Sequence, residues 1–156
     1  VFVNAESALV EMLYHKYKLD IVQLHGCETV DYCKNLSEKN IPLIKALGVD
    51  NEKDLLLFEA YKTYCQYFLL DTKSGGFGGS GEKFDWSIIN RSGISLSFFL
   101  AGGIAENDAA LLQNVKHGNF FGVDINSRFE VSPGQKDHIK INSFIHRINK
   151  NNIDDC

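Results

Sequence analysis

Short apolar stretches alternate with segments of helical periodicity along this chain of 156 residues, and this alternation limits the fold more than any other feature. Strands are predicted at residues 1–4, 21–26, 41–47, 67–71, 97–101 and 120–125. Helices are predicted from about residue 6, at 29–38, after a cap at Asp50 or Asn51, near 84–89, at 106–113 and at about 137–149. Strict alternation with short connections is typical of a parallel sheet with helices outside it. We therefore expect a single α/β domain over residues 1–156.

Two architectures fit this alternation: an open doubly wound sheet, and a (β/α)₈ TIM barrel of which the chain supplies about the last six β/α units. Gln23, His25, Asp71 and Asp124 fall on one parity of their predicted strands, near the carboxyl ends. Side chains that point into the mouth of a barrel have this placement. The predicted units average about 26 residues, so two missing units would add on the order of 50 residues, which fits a small barrel. The pattern favours the incomplete barrel, with the open sheet as the alternative.

Charge and cysteine usage exclude several classes of protein. The net charge is −4, without any run of Lys or Arg, so neither nucleic acid nor an anionic membrane is an expected partner. No apolar stretch approaches the roughly 20 residues that span a bilayer, and the N-terminus lacks the pattern of a signal peptide, so a cytoplasmic protein is expected. Cys27, Cys33, Cys65 and Cys156 show no C-x-x-C spacing, which predicts free thiols and no metal site.

Asp71 stands where an apolar strand ends and a glycine cluster begins, since five of the 13 glycines fall between residues 75 and 81. Such a cluster indicates a main chain that adopts unusual dihedral angles or moves over a ligand. Asp71 is therefore a candidate general acid, which requires a carboxyl group partly withdrawn from water. The structural alternative is an Asx-turn, in which the carboxylate only binds its own loop backbone.

A phosphate site is predicted at the ends of the last two strands. Gly102 and Gly103 follow an apolar strand and precede a helix start, an arrangement that exposes backbone amides to an anion. The next unit places Ser127 and Arg128 after its strand, and phosphate sites of these barrels commonly lie between the last two β/α loops.

The remaining polar residues allow two interpretations each. His25 and Gln23 either orient a substrate or complete a buried hydrogen-bond network. Asp124 either binds a sugar hydroxyl or forms a structural ion pair with Lys45, which lies in a neighbouring predicted strand.

Together these motifs resemble the phosphoribosylanthranilate isomerase family of tryptophan biosynthesis, from the family's third strand to its end. The matching stretches are VFVN, VQLHG, LLDT followed by GGSG and FDW, LAGG, GVDINSRFE and PGQKD. The resemblance implies an Amadori rearrangement of a phosphosugar, with Asp71 as the general acid and without any metal or organic cofactor. It also implies phosphate loops at Gly102-Gly103 and Ser127-Arg128, active-site positions at Gln23, His25 and Asp124, and a monomer or homodimer.

Two features of the family are missing from this sequence. The family's general base is a cysteine on the first strand, and an arginine after the second β/α unit holds the anthranilate carboxylate; the sequence contains neither unit. The last phosphate loop also has Ser127-Arg128 where many relatives have Ser-Gly. The expectation is an N-terminally shortened version of a complete barrel. The competing interpretations are another phosphosugar barrel enzyme and a non-catalytic phosphosugar-binding module.

Overall fold

The fold is taken from a computed structural model that describes residues 1–73 and 83–150. Its α-helices are Ser7–Tyr17 (α1), Val30–Glu38 (α2), Glu52–Leu55 (α3), Ala109–Leu112 (α4) and His138–Lys150 (α5). Its strands are Val22–Leu24 (β1), Leu43–Val49 (β2), Tyr67–Thr72 (β3), Phe98–Leu100 (β4), Phe120–Val123 (β5), Glu130–Ser132 (β6) and Gln135–Lys136 (β7). Short 3₁₀ helices occupy Leu56–Ala60, Trp86–Arg91, Glu106–Asp108 and Ser127–Phe129. The predicted glycine loop at 75–81 and Cys156 lie outside the described residues.

Strands β1 to β5 form one sheet in chain order, and every neighbouring pair is parallel, which confirms the predicted parallel sheet. The predicted strand at residues 1–4 is reduced to a single parallel bridge between Phe2 and Leu24. The physical reason is Asn4, whose φ of 51° is left-handed and turns the chain away from the sheet.

The sheet formed by the described residues is open, so the closed (β/α)₈ barrel of the prediction is not present in them. Phe2 and β1 lie at one edge, and β5 lies at the other. The strand order also argues against the doubly wound alternative, because such a sheet reverses its order at a switch point and this one runs sequentially.

Alternate side chains of the strands face two different cores. Phe68 and Leu70 of β3 belong to the large cluster between the sheet and the helices. Leu69 belongs to a small cluster on the other face, with Ala46 and Ala101. Asp71 lies two residues after Leu69 at the carboxyl end of β3. Its side chain therefore projects from the same face of the sheet as the small cluster.

Local capping explains where two of the predicted helices begin. Thr29 accepts a hydrogen bond from the Tyr32 amide and caps α2, and Asn51, rather than Asp50, caps α3 together with Asp54. The predicted helix near 84–89 is a 3₁₀ helix, Trp86–Arg91, and the one at 106–113 begins as the 3₁₀ helix Glu106–Asp108 and continues as α4. The β6–β7 hairpin was not predicted. Among the described residues, no helix has the length and apolar character required to cross a membrane.

Candidate active site

A cavity of about 170 Å³ lies at the carboxyl ends of the sheet strands. It is lined by His25, Asp71, Ala101, Gly102, Gly103, Ile104, Asp124, Asn126, Ser127 and Arg128. All parallel strands end on the same side of the sheet, which explains why residues so distant in sequence meet there. The cavity contains all of the predicted site residues except Gln23, which contacts it through His25.

Gln23, His25 and Asp71 form a chain of hydrogen bonds that ends in the cavity. The Gln23 side-chain amide donates to His25 Nδ1 at 2.9 Å, and His25 Nε2 lies 3.0 Å from Asp71 Oδ2. An amide nitrogen can only donate, so His25 Nδ1 is an acceptor and the ring proton is on Nε2, which donates to the carboxylate. The arrangement holds the imidazole in one tautomer and aims the Asp71 carboxyl group.

The second oxygen of Asp71 accepts from the next main-chain amide, still within β3, and no Asx-turn forms, because the Lys73 amide that it would use donates to the Val49 carbonyl. The Thr72 amide donates to Asp71 Oδ1 at 2.8 Å. The contacts with His25 and Thr72 coexist because each uses a different oxygen, and the side chains of Asp71 and His25 each remain 32% exposed. The carboxyl group is therefore oriented from both sides and still open to a ligand.

The Gly102-Gly103 turn requires glycine for two different reasons. Gly102 has a φ of +89°, and a Cβ there would lie 2.3 Å from Thr72 Oγ1 and 2.5 Å from the Thr72 main-chain nitrogen. Gly103 has a φ of +68° and open space around it. The amides of residues 102–104 donate no hydrogen bond to another described residue, so they remain available to an anion in the cavity.

Gly102→Ala is expected to destabilise the fold by roughly 3 kcal/mol or more, because left-handed strain and a clash with the Thr72 main chain add. Gly103→Ala is the matched control, and its expected cost is about 1–2 kcal/mol from the left-handed dihedral alone. Urea unfolding of the two variants measures the difference. Equal costs would contradict the close approach of Thr72 to Gly102.

The last loop of the site is held by a network that the sequence analysis missed. Asn126 donates to Asp124 Oδ1 at 3.0 Å. Lys136 Nζ in turn donates to Asn126 Oδ1 at 3.0 Å, to the Ile125 carbonyl at 3.3 Å and to Glu130 Oε1 at 2.8 Å. The hydrogen bond from Lys136 is the main reason that the pKa of Glu130 lies below its usual value. Asn126 lies in the GVDINSRFE motif and Lys136 in the PGQKD motif, so these motifs could have identified both residues as part of the site.

The structural alternative for Asp124, an ion pair with Lys45, is wrong. Lys45 alternates with Ile44 and Ala46, which pack on the cavity face, so its side chain points to the opposite face of β2. There Lys45 Nζ binds Glu28 Oε2 at 2.9 Å, and the two side chains are 0% and 1% exposed. A lysine within an apolar strand indicates that an acidic partner is buried with it. The chain contains many acidic residues, however, and their positions in the sequence do not identify Glu28 as that partner.

Neither the cysteines nor any acidic cluster forms a second reactive centre in the described part of the chain. Cys27, Cys33 and Cys65 are free, as predicted, and none of them lines the cavity. Contact with Cys33 and burial raise the pKa of the Cys65 thiol, which keeps it protonated. Across residues 1–73 and 83–150, no group of three or more His, Cys, Asp or Glu side chains is arranged to hold a metal ion.

Known proteins are similar to this chain in sequence and in fold. The sequence model of the family described as N-(5'phosphoribosyl)anthranilate (PRA) isomerase matches residues 1–147. The N-(5'-phosphoribosyl)anthranilate isomerase of Parabacteroides distasonis is 40% identical over 148 residues, which cover 95% of this chain and 67% of that protein.

Two solved structures match over almost the whole chain. The phosphoribosyl anthranilate isomerase of Thermotoga maritima superposes with a TM-score of 0.79 at 36% identity, covering 96% of this chain and 71% of that one. A phosphoribosyl anthranilate isomerase in complex with reduced 1-(o-carboxyphenylamino)-1-deoxyribulose 5-phosphate gives a TM-score of 0.75 at 33% identity, covering 96% of this chain and 69% of the other. This chain therefore spans about two thirds of the length of the proteins that it matches.

Proposed function

This chain belongs to the N-(5'-phosphoribosyl)anthranilate isomerase family, and from this premise we propose that the cavity at the carboxyl ends of β1, β3, β4 and β5 is its active site. The function of the chain is the isomerisation of N-(5'-phosphoribosyl)anthranilate in tryptophan biosynthesis. The reaction is an Amadori rearrangement, which converts an aminoaldose phosphate into the corresponding ketose. One observation carries the assignment of the site: the same cavity is lined by a carboxyl group hydrogen-bonded to histidine and by residues 102–104, whose amides donate to no other described residue.

Asp71 acts in the proposed mechanism as the general acid. Its proton goes to the ribose ring oxygen, the bond between that oxygen and C1 breaks, and the nitrogen lone pair forms the Schiff base. The His25 Nε2 proton then stabilises the carboxylate that remains on Asp71, at the observed 3.0 Å. Removal of the C2 proton then gives an enolamine, and gain of a proton at C1 with loss of the 2-hydroxyl proton gives the ketose; we assign these proton transfers to no residue of this chain.

The substrate phosphate occupies the other end of the cavity in this proposal. The amides of residues 102–104 surround an anion without steric hindrance because Gly102 and Gly103 carry no side chain. Ser127 and Arg128 line the same end of the cavity, and the Arg128 guanidinium supplies a positive charge and paired donors. A backbone site of this kind holds the phosphate while the ring opens near Asp71.

Arg128→Gln is expected to weaken the binding of ribose 5-phosphate about 10- to 100-fold, because a charge-assisted hydrogen bond contributes about 1.5–3 kcal/mol. Isothermal titration measures the dissociation constant, and ribose without phosphate shows whether the loss depends on the anion. Arg91→Gln is the control, since Arg91 pairs with Glu52 outside the cavity. An equal effect of both substitutions would remove Arg128 from the proposed phosphate site.

The open sheet supports the proposal that two further β/α units precede Val1 and close a (β/α)₈ barrel. Apolar side chains of the first and last helices are exposed; they are Leu9 and Met12 on α1 and Ile139 and Ile145 on α5. Phe121 of the edge strand β5 is 62% exposed, although it packs on Phe99 and Tyr67 on the sheet face that carries the small cluster. Two additional units would cover these surfaces and would carry the family's general base.

A fluorescence assay for phosphoribosylanthranilate consumption tests the function, on this chain and on a version that carries the native upstream residues. We expect turnover by the longer protein. A longer protein that folds and binds the phosphosugar without turnover would favour the non-catalytic binding module. Turnover of a different phosphosugar alone would favour another barrel enzyme.

A further inference from the structure

We propose that the buried Glu28–Lys45 ion pair is a positioning device for the active site, which holds the His25 main chain and thereby aims the imidazole at Asp71. The pair does not line the cavity, because Lys45 projects from the opposite face of β2. The inference rests on the proposed function for its catalytic consequence, and on geometry alone for its structural part.

Lys45 binds the main chain on both sides of His25. Its Nζ donates to the Leu24 carbonyl at 3.3 Å and to the Gly26 carbonyl at 2.8 Å. The third donor of the ammonium group goes to Glu28 Oε2 at 2.9 Å. All three protons of Lys45 are therefore used; one fixes the peptide unit before His25, and another fixes the peptide unit that follows Gly26.

Glu28 holds the same turn from its other side. Its carboxylate accepts the Gly26 amide at 3.0 Å and the Asn4 amide at 2.9 Å. Gly26 permits this close approach, because a Cβ at that position would lie 2.6 Å from the Asn4 nitrogen and 2.7 Å from Glu28 Oε1. The carboxylate thus ties the chain after His25 to the segment that runs beside it.

The turn needs this support because the sheet ends before it. Strand β1 ends at Leu24, and the remaining sheet contact of His25 is its amide, which donates to the Phe2 carbonyl at 2.8 Å. Without the ion pair the Gly26 carbonyl and the Gly26 amide would lose the hydrogen bonds that hold them. A small rotation there moves the imidazole nitrogen away from Asp71 Oδ2, and a misplacement of about 1 Å can reduce a rate about 100-fold.

Stability alone does not explain a charged pair at this position. Apolar residues of similar volume often replace a buried ion pair without loss of stability, because both charges give up their hydration. What apolar residues cannot do is bind the carbonyl and amide groups of residues 24–26. The hydrogen bonds to the main chain are therefore the feature that distinguishes positioning from simple filling of the core.

The decisive variant is the double substitution Glu28→Gln with Lys45→Met, which removes both charges together. Nitrogen-15 NMR of the histidine rings reports the tautomer of His25, and steady-state kinetics on the version with the upstream residues separates kcat from KM. We expect the single Nε2-protonated tautomer in the wild type, mixed tautomers in the variant, and a kcat lower by about 100-fold with KM changed less than threefold. The control is Glu11→Gln with Lys39→Met, an ion pair between α1 and α2, which should change neither signal.

A folded double variant with the wild-type His25 signal and wild-type kcat would overturn the proposal. If the double variant does not fold, Glu28→Asp decides, since it keeps the buried charge opposite Lys45 and withdraws the carboxylate from the Gly26 and Asn4 amides. Partial loss of the tautomer preference then supports positioning, and an unchanged tautomer contradicts it. Absence of turnover in the wild type would refute the proposed function, while the NMR signal would still test the ion pair.

Discussion

Asp71→Asn is expected to lower kcat by about 10²–10⁴-fold while the affinity for the phosphosugar stays within a few-fold of the wild type. An amide has the size of the carboxyl group, and its oxygen can accept from one of the two donors, the Thr72 amide or His25 Nε2, but it has no acidic proton to give to the ring oxygen. Steady-state kinetics on the version with upstream residues gives kcat. Titration with reduced 1-(o-carboxyphenylamino)-1-deoxyribulose 5-phosphate, the ligand of a related structure, gives the affinity.

Asp124→Asn is the matched control for this substitution. It makes the same chemical change in the same cavity, at a carboxylate that binds the Asn126 side chain. We expect a reduction of kcat much smaller than that of Asp71→Asn. Equal reductions, or loss of folding in Asp71→Asn, would contradict the assignment of Asp71 as the general acid.

Lys45→Met is expected to lower the free energy of unfolding by about 3–5 kcal/mol, because it leaves the Glu28 carboxylate buried without its partner. Urea denaturation measures the loss. The double variant with Glu28→Gln should regain a large part of it, since neither buried charge remains. The coupling energy is the change in the double variant minus the sum of the changes in Lys45→Met and in Glu28→Gln alone. Lys39→Met, which breaks a partly exposed pair, should cost no more than about 1 kcal/mol.

The acid limb of the stability curve gives an independent measure of the same pair. Burial by itself raises the pKa of Glu28, but the hydrogen bonds from Lys45 and from the Asn4 amide outweigh it and hold the pKa below its usual value. A carboxylate with a lowered folded pKa contributes stability above its unfolded pKa and loses it as the pH falls through the folded value. As the pH falls from about 4.5 through the folded pKa of Glu28, the free energy of unfolding should therefore decrease less in Lys45→Met than in the wild type. An unchanged acid limb would contradict a direct role of Lys45.

Much of the secondary structure and most of the site could be predicted because they depend on local patterns. The order of strands and helices follows from periodicity, and a parallel sheet follows from their alternation. His25, Asp71 and Asp124 could be placed together because the carboxyl ends of parallel strands share one edge. The conformation at residue 4 was not readable in this way, since an apolar run gives no sign that Asn4 is left-handed.

The sequence by itself therefore determined the parallel α/β fold, the placement of the site at the carboxyl ends of the strands, and the residue types that face it. Only the tertiary structure decided which polar groups meet: Lys45 with Glu28 on the far side of the sheet, and Lys136 with Asn126 under the last loop. The physical reason is that strand periodicity is a property of neighbours along the chain. The partner of a buried charge is selected instead by desolvation, which forces each such group to take the nearest complementary atom in space.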